Sequence, residues 1–552
     1  MKHLLHSFLL FLLVCSAAPA LAQNAARITG NLQSNGNFFI RDSVIGAYAT
    51  PQYDNQKFGA ESWLSLNYSN WGFDMGLRFD MFNNSNLLNP TGSFTDQGIG
   101  RWFVHKEIYG FDLSGGYLYD QIGSGIIFRA YEERSLMIDN ALYGVRVGYK
   151  FNDNWKIKAF TGRQKRQFNA YGSVIRGGAI DGFIQPDSTK NFSFAPGAGI
   201  VARTYDDETV NRIANEIATY VRQDSTGAQY NTYAMTVYNT MIAGNFSWYV
   251  EGAYKTKDVI FNEFLEKATG GRGKLTNKAG YTGYTSLTYA SEGLGITLEG
   301  KYTDNFRFRT DPFQIGVQGQ MNFLPPVARQ NTFRLPARFS PNTQELGEKG
   351  LQLDAKYAID KNLSVGLNVS NIYQLDDVEL YREIAPEVTY KYKRKWQLLV
   401  GYQILKYNIE VYQGKVGYVD AQTPYAEWLY KFTPRKSLRL EAQYLKTEQE
   451  FGSWAFLLAE FGWAPHWLVY VSDMYKIKHT EAEKAHINET DRAEKTKFDG
   501  LHYPTVGIVY TQHANRFSLA YVKQVEGINC AGGICRYEPT FHGVRLQLTS
   551  SF

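Results

Sequence analysis

Alternation of apolar and polar residues, repeated along a chain with no long apolar run after its first residues, constrains this sequence most. In "GFDMGLRFDMFN", Phe73, Met75, Leu77, Phe79 and Met81 alternate with Asp74, Gly76, Arg78 and Asp80. Alternate side chains of a β-strand point to opposite faces, so one face is apolar and the other charged. A soluble sandwich would bury the apolar face on a second sheet. A transmembrane barrel would turn it to lipid and keep the charges inside.

The pattern recurs. Tyr143, Val145, Val147, Tyr149 and Phe151 oppose Gly144, Arg146, Gly148 and Lys150; Leu351, Leu353, Ala355, Tyr357 and Ile359 oppose Gln352, Asp354 and Lys356. Leu363, Val365, Leu367 and Val369 oppose Ser364, Gly366, Asn368 and Ser370. One such stretch fits a half-buried soluble strand, but the repetition favours a barrel. The chain holds 39 Tyr, 35 Phe and 50 Gly yet no later apolar run long enough for a membrane-spanning helix, so strands are its only means of crossing a membrane.

An address precedes the pattern. Lys2, an apolar run from Leu4 to Val14 and the site Ala20, Leu21, Ala22 form a secretory signal, residues 1–22, cleaved after Ala22. The run is about 11 residues, short of the roughly 20 that span a bilayer. Residues 23–552 are then expected to form a single domain, since no Ser/Pro-rich linker or charge block divides them.

Loop length sharpens the topology. Short turns fall at 70–72, 110, 152–154, 244–245, 292–293, 360–362, 393–395, 433–435, 465 and 513–515. Long connections fall at 42–56, 84–97, 123–139, 164–231, 257–279, 305–348 and 479–499. Barrels of bacterial outer membranes segregate short periplasmic turns from long extracellular loops in this way. Trp71, Trp155, Trp248, Trp396 and Trp467 lie in or just after the short turns, half of the ten in the chain. They read as an interfacial belt, where an indole is apolar in body and wet at its N–H.

The terminal stretch "GVRLQLTSSF" sets Val544, Leu546, Leu548, Ser550 and Phe552 against Arg545, Gln547, Thr549 and Ser551. It resembles the last strand of bacterial outer-membrane proteins, and the resemblance makes Phe552 part of the signal read by the barrel-assembly machinery. From Asn31 the chain also resembles large, largely uncharacterised outer-membrane β-barrel proteins of the Bacteroidota, notably in "GNLQSNGNFFI" and "CAGGICR". The resemblance implies residence in the outer membrane of a Gram-negative bacterium. It implies no activity. TonB-dependent transporters differ, because they carry a large N-terminal plug domain and only a few residues separate Gln23 from the first strand here.

The fold class is therefore all-β, a transmembrane antiparallel β-barrel of about 22 strands, within a range of about 18 to 24. Its lumen is expected to be lined by Asp74, Arg78, Asp80, Arg146, Lys150, Glu299, Lys301, Asp354, Lys356, Arg439, Glu441 and Arg545. Cations such as Lys156 and Lys158 add to these, so the wall carries a positive excess and a mild anion preference. Any obstruction must come from loops. In 164–231, "DDETVNRIANEIATYVRQ" predicts a short helix near 206–223, with Val210, Ile213, Ile217, Tyr220 and Val221 on one stripe and Asp206, Asp207 and Glu208 at its positive end. Insertion into the lumen and packing outside it both fit. "FLPPVARQNTFRLPARFSP", with Pro325, Pro326, Pro336, Pro341, Arg329, Arg334 and Arg338, reads as a stiffened basic surface loop.

Cys530 and Cys535, the pair left once Cys15 departs with the signal, are expected to form a disulfide in an exported protein. No metal, cofactor or catalytic group is expected. "HTEAEKAHINETD" offers His479, Glu481, Glu483, His486 and Asp491, yet such polar runs are usually solvated faces, and His502 and His513 sit at opposite ends of one strand. A net charge of +5, dispersed, makes nucleic acid an unlikely partner. The expected partners are outer-membrane lipid, the assembly machinery and, in one reading, an envelope protein. A channel or passive transporter for small hydrophilic solutes fits best; an envelope scaffold or export component and a barrel hydrolase are the alternatives.

Overall fold

A computed structural model of the chain describes residues 26–186, 191–314, 316–480, 495–531 and 533–552. Residues 1–22, Glu481, Glu483, His486 and Asp491 lie outside them. The described chain forms one closed antiparallel barrel of 24 strands, from Arg27–Phe39 to Phe541–Ser551. The first strand pairs with the second along Arg27↔Ser69 to Phe38↔Phe58, and with the last along Asn31↔Ser551 to Phe39↔Gly543, which leaves the barrel no edge.

The alternating stretches point as their chemistry requires. On the strand Phe73–Ser85, Phe79 and Met81 are 45% and 42% exposed on the outside, while Arg78 and Asp80 are 4% and 5% exposed within. The outer surface is apolar along strand after strand, with Val145, Val237, Val388 and Val471 exposed. That surface suits lipid, and it identifies the barrel as a transmembrane one.

All ten expected short turns join adjacent strands. Trp71 and Gly72, with φ of 53° and 72°, and Tyr109 and Gly110, with φ of 50° and 82°, supply the paired left-handed residues of tight hairpins whose twist matches the strands. An eleventh connection at the same end, residues 183–191, was not expected. It accounts for the two strands beyond the 22 counted from sequence. The stretch 164–231 is therefore no single loop: it holds all of the strands Asn169–Gly182 and Phe192–Thr204 and the helix α1, Asp207–Ala218.

Helix α1 starts where Asp206 accepts from the backbone N–H of Thr209, and it buries Ile213. Its partners are Tyr205, Val259, Leu275 and Phe261, with Phe313 nearby. Val259 and Leu275 belong to the strands Phe246–Glu266 and Arg272–Ser291, 21 and 20 residues long. Most of the expected loop 257–279 is thus a continuation of these two strands, against which α1 packs.

Candidate functional site: a lumen packed by three connections

Three long-end connections turn into the barrel, residues 119–141, 305–346 and 525–540, and α1 touches the second of them where Arg212 pairs with Asp311 at 2.6 Å. Their apolar residues explain why. Ile122, Ile126, Ile127, Phe128, Phe306, Phe308, Met321 and Leu324 pack against Phe160, Ile175, Val201 and Ala234 of the wall. Val327, Leu335 and Phe339 join Tyr381, Leu405, Tyr407 and Trp454 in a second cluster. Each such side chain taken from water contributes about 1.5–3 kcal/mol. Glycines make room: a Cβ on Gly199 would stand 2.4 Å from Ile122 Cγ2, and one on Gly350 2.6 Å from Val327 Cγ2. Part of the high glycine content is thus wall that an inward loop must approach closely.

Irregular backbone at membrane depth needs partners, and the wall provides them. Lys255 Nζ donates to the Arg307 carbonyl at 2.5 Å, Arg203 Nη1 to Arg309 at 2.9 Å, Ser173 Oγ to Thr310 at 2.6 Å and Lys301 Nζ to Pro325 at 2.6 Å. Gln164 Nε2 reaches the Gln320 carbonyl at 2.6 Å, and Leu335 N–H donates to Gln443 Oε1 at 2.7 Å. Two of these cations are themselves balanced on one buried carboxylate, Asp258, by Arg203 at 2.7 Å and Lys255 at 3.2 Å.

The connection 119–141 is fastened in the same way. Glu251 accepts from Ser124 N and Oγ at 2.9 and 2.6 Å. Arg78 pairs with Asp80 at 2.6 Å and reaches Glu132 at 2.7 Å and Asp139 at 2.8 Å. Lys158 binds Asp120 at 2.6 Å. Lys158 and Glu251 lie four and six residues into strands that begin at short turns, so this connection penetrates most of the barrel's depth.

Most of the expected lumen residues meet a partner. Arg146 holds Asp112 at 3.0 Å, Lys301 holds Glu348 at 2.5 Å, and Arg439 bridges Glu427 at 2.7 Å and Glu441 at 2.5 Å. Glu299 accepts from Tyr284 at 2.5 Å, Asp354 from Asn368 at 3.3 Å and Asp74 from Ser69 at 2.5 Å. Lys150 and Lys356 are exposed near the short turns, and Arg545 lies over the Phe541 ring at 4.0 Å. Trp155, Trp396 and Trp467 open their strands; Trp71 sits in its turn and Trp248 is the third residue of its strand. Sequence reasoning missed Arg203, Glu251, Lys255 and Asp258. Its reading of 164–231 and 257–279 as loops hid Arg203 and Asp258 and cut short the strand that carries Lys255.

The third connection carries the disulfide Cys530–Cys535, which bridges the strands Gly527–Ala531 and Ile534–Glu538. This hairpin is not on the surface. Ile534 packs with Leu136 and Ile138, and the Gly533 carbonyl accepts from Thr343 N at 3.0 Å. The basic stretch 323–341 is likewise inside, with Arg329 paired to Glu387 and Arg338 to Glu450.

Space remains beside this packing. A cavity of about 550 Å³ borders residues 326–341, and another of about 530 Å³ opens near the short turns between Lys150, Lys158, Asp181 and Tyr249. Elsewhere His105, Glu107 and Asp112 bring ligand-type atoms together, but Asp112 already holds Arg146.

These features define a class: transmembrane β-barrels whose lumen is packed by their own connections. The chain belongs to DUF6029, a family of unknown function whose pattern matches residues 1–552. No curated protein matches the sequence. Among solved structures, the fold is similar to the siderophore receptor PirA from Pseudomonas aeruginosa, at 8% identity and a TM-score of 0.39, covering 96% of this chain and 81% of that one. It is similar to the E. coli P pilus tip assembly intermediate PapC-PapD-PapK-PapG at 8% identity and 0.47, covering 97% and 62%. It is also similar to OccAB4 from Acinetobacter baumannii at 10% identity and 0.34, covering 73% and 100%.

Proposed function

We propose that the protein is an outer-membrane channel or passive transporter for small hydrophilic solutes, with its short turns in the periplasm and its long connections outside. The observation that carries this reading is the space left beside the inward connections, lined by arginine, lysine and amide side chains within an apolar outer wall. The passage is narrow because 119–141, 305–346 and 525–540 occupy the lumen. Polar lining beside a fixed constriction selects by size and charge.

Single-channel recording in planar bilayers tests this. The full-length protein should show a small, steady conductance, and replacing 311–342 by a short Gly/Ser linker should raise it several-fold. An envelope scaffold is the second reading, favoured by the number of wall groups bonded to loop backbone. A barrel that stays closed both before and after the replacement would support the scaffold and remove the channel.

A further inference from the structure

Charge around the 550 Å³ cavity is unbalanced. Three guanidinium groups border it, those of Arg329, Arg334 and Arg338, against the single carboxylate of Glu538. Arg329 and Arg338 are taken by Glu387 and Glu450. Arg334 is solvent-exposed within the cavity and makes no hydrogen bond or ion pair with any described residue.

The excess continues beyond Glu538. A second cavity of about 290 Å³ shares that residue and is bordered by Arg134, Arg536 and Arg545 against Glu61 and Glu538, with Arg134 paired to Glu132. Arg536 donates to the carbonyls of Ser135 and Asn86, at 3.4 and 3.0 Å, and Arg545 to Gln524 Oε1 at 3.4 Å. Among the described residues, neither has a carboxylate at ion-pair distance. A third space of about 400 Å³ shares Arg338, Ser340, Gly527 and Ile528 with the first and Arg536 with the second, and it reaches Lys415 in the long-end connection 409–417; Glu526 and Glu450 also border it, and Glu450 pairs with both Lys415 and Arg338. In each of the three spaces the bordering cations outnumber the carboxylates, which makes a cationic track from the long-loop end into the barrel.

A guanidinium within low-dielectric walls, with water but no counter-charge, raises the local concentration of anions, and its planar fork matches carboxylate and phosphate oxygens. We propose that the cavity beside 326–341 is an oxyanion-binding site for a small hydrophilic solute bearing a carboxylate or phosphate. Arg334 is its principal ligand, and Arg536 and Arg545 form a second station further in. The proposal names the solute class for the channel reading and rests on that reading for the solute's passage, while binding itself requires no conduction.

Isothermal titration of the full-length protein in detergent micelles tests it, with citrate, inorganic phosphate and uncharged glucose as separate probes at low salt. Citrate, phosphate or both should bind, more weakly as salt is added. Glucose should not. Arg334→Gln should weaken binding about tenfold or more, as loss of a charge-assisted hydrogen bond does. Lys393→Gln, in an exposed short turn, should leave it unchanged. Binding of one anion alone identifies carboxylate or phosphate as the recognised group. Absence of anion binding, or an unaltered Kd in Arg334→Gln, overturns the site. Binding without conductance in bilayers removes the channel reading and leaves the site; conductance without binding does the reverse.

Discussion

The ring of Phe552 covers Gly30 across the seam where the barrel closes. Gly30 N–H donates to the Phe552 carbonyl at 2.7 Å, and Phe552 N–H returns to the Gly30 carbonyl at 3.0 Å. A Cβ on Gly30 would lie 2.3 Å from two carbons of that ring, nearer than any side chain tolerates. Gly30→Val should therefore displace the ring and destabilise the seam by about 1–3 kcal/mol, the usual range for overpacking. Thermal unfolding followed on heat-modifiable gels measures this, and an unchanged midpoint would show that the ring moves aside freely.

Asp224 ties the segment after α1 to the long hairpin. It accepts from Lys274 Nζ at 2.6 Å and from the Ala268 backbone N–H at 2.7 Å. The Lys274 hydrogen bond, followed by that of Ala268, holds its carboxyl below the usual range. A carboxyl lowered in the folded state adds stability above its unfolded pKa and loses it as pH falls through the folded value. Protection of the Ala268 amide, corrected for intrinsic exchange, should be full at neutral pH and decline in acid. In Asp224→Asn it should be weak at both. Equal protection across the acid range in the parent protein would refute the tie.

The sequence displayed the barrel more fully than it displayed the contents. Outer faces such as Phe73 to Met81 are legible because lipid demands apolar residues at every second position. Turns such as Trp71-Gly72 are legible because glycine marks the left-handed conformation. The hairpin at Gln167 and Phe168 carries no such mark, although Gln167 takes a φ of 53°, so the strand after it, Asn169–Gly182, is read as loop from sequence alone. The connection 183–191 failed differently, through a length that suits an external loop. Arg329 and Arg338 looked like surface cations because their partners, Glu387 and Glu450, are distant in sequence and only the closed barrel brings them near.

Impermeant thiol labelling of whole cells tests the orientation. Val416, 95% exposed in the connection 409–417, should label as Val416→Cys, and Asp153→Cys in the turn 153–154 should not. The opposite pattern would place the long connections in the periplasm and reverse the direction of the cationic track.

The bond from Lys301 to the inward loop separates holding the loop from holding the wall. Lys301 Nζ meets Glu348 at 2.5 Å and the Pro325 carbonyl at 2.6 Å, with both charged side chains 1% exposed. Lys301→Met leaves the Glu348 charge buried without its partner, which typically costs about 3–5 kcal/mol. The double variant Lys301→Met with Glu348→Leu removes both charges and should recover most of that loss, because an apolar pair of similar volume often replaces a buried ion pair without penalty. The Pro325 carbonyl still lacks its donor in the double variant, so stability should return while the loop loosens. Thermal unfolding should place the double variant near the parent protein, and single-channel recording should show larger, noisier conductance than the parent. A double variant as unstable as Lys301→Met would mean that the lost bond to Pro325, not the stranded carboxylate, dominates the cost. Parent-like conductance in a stable double variant would show that Lys301 does not hold the loop.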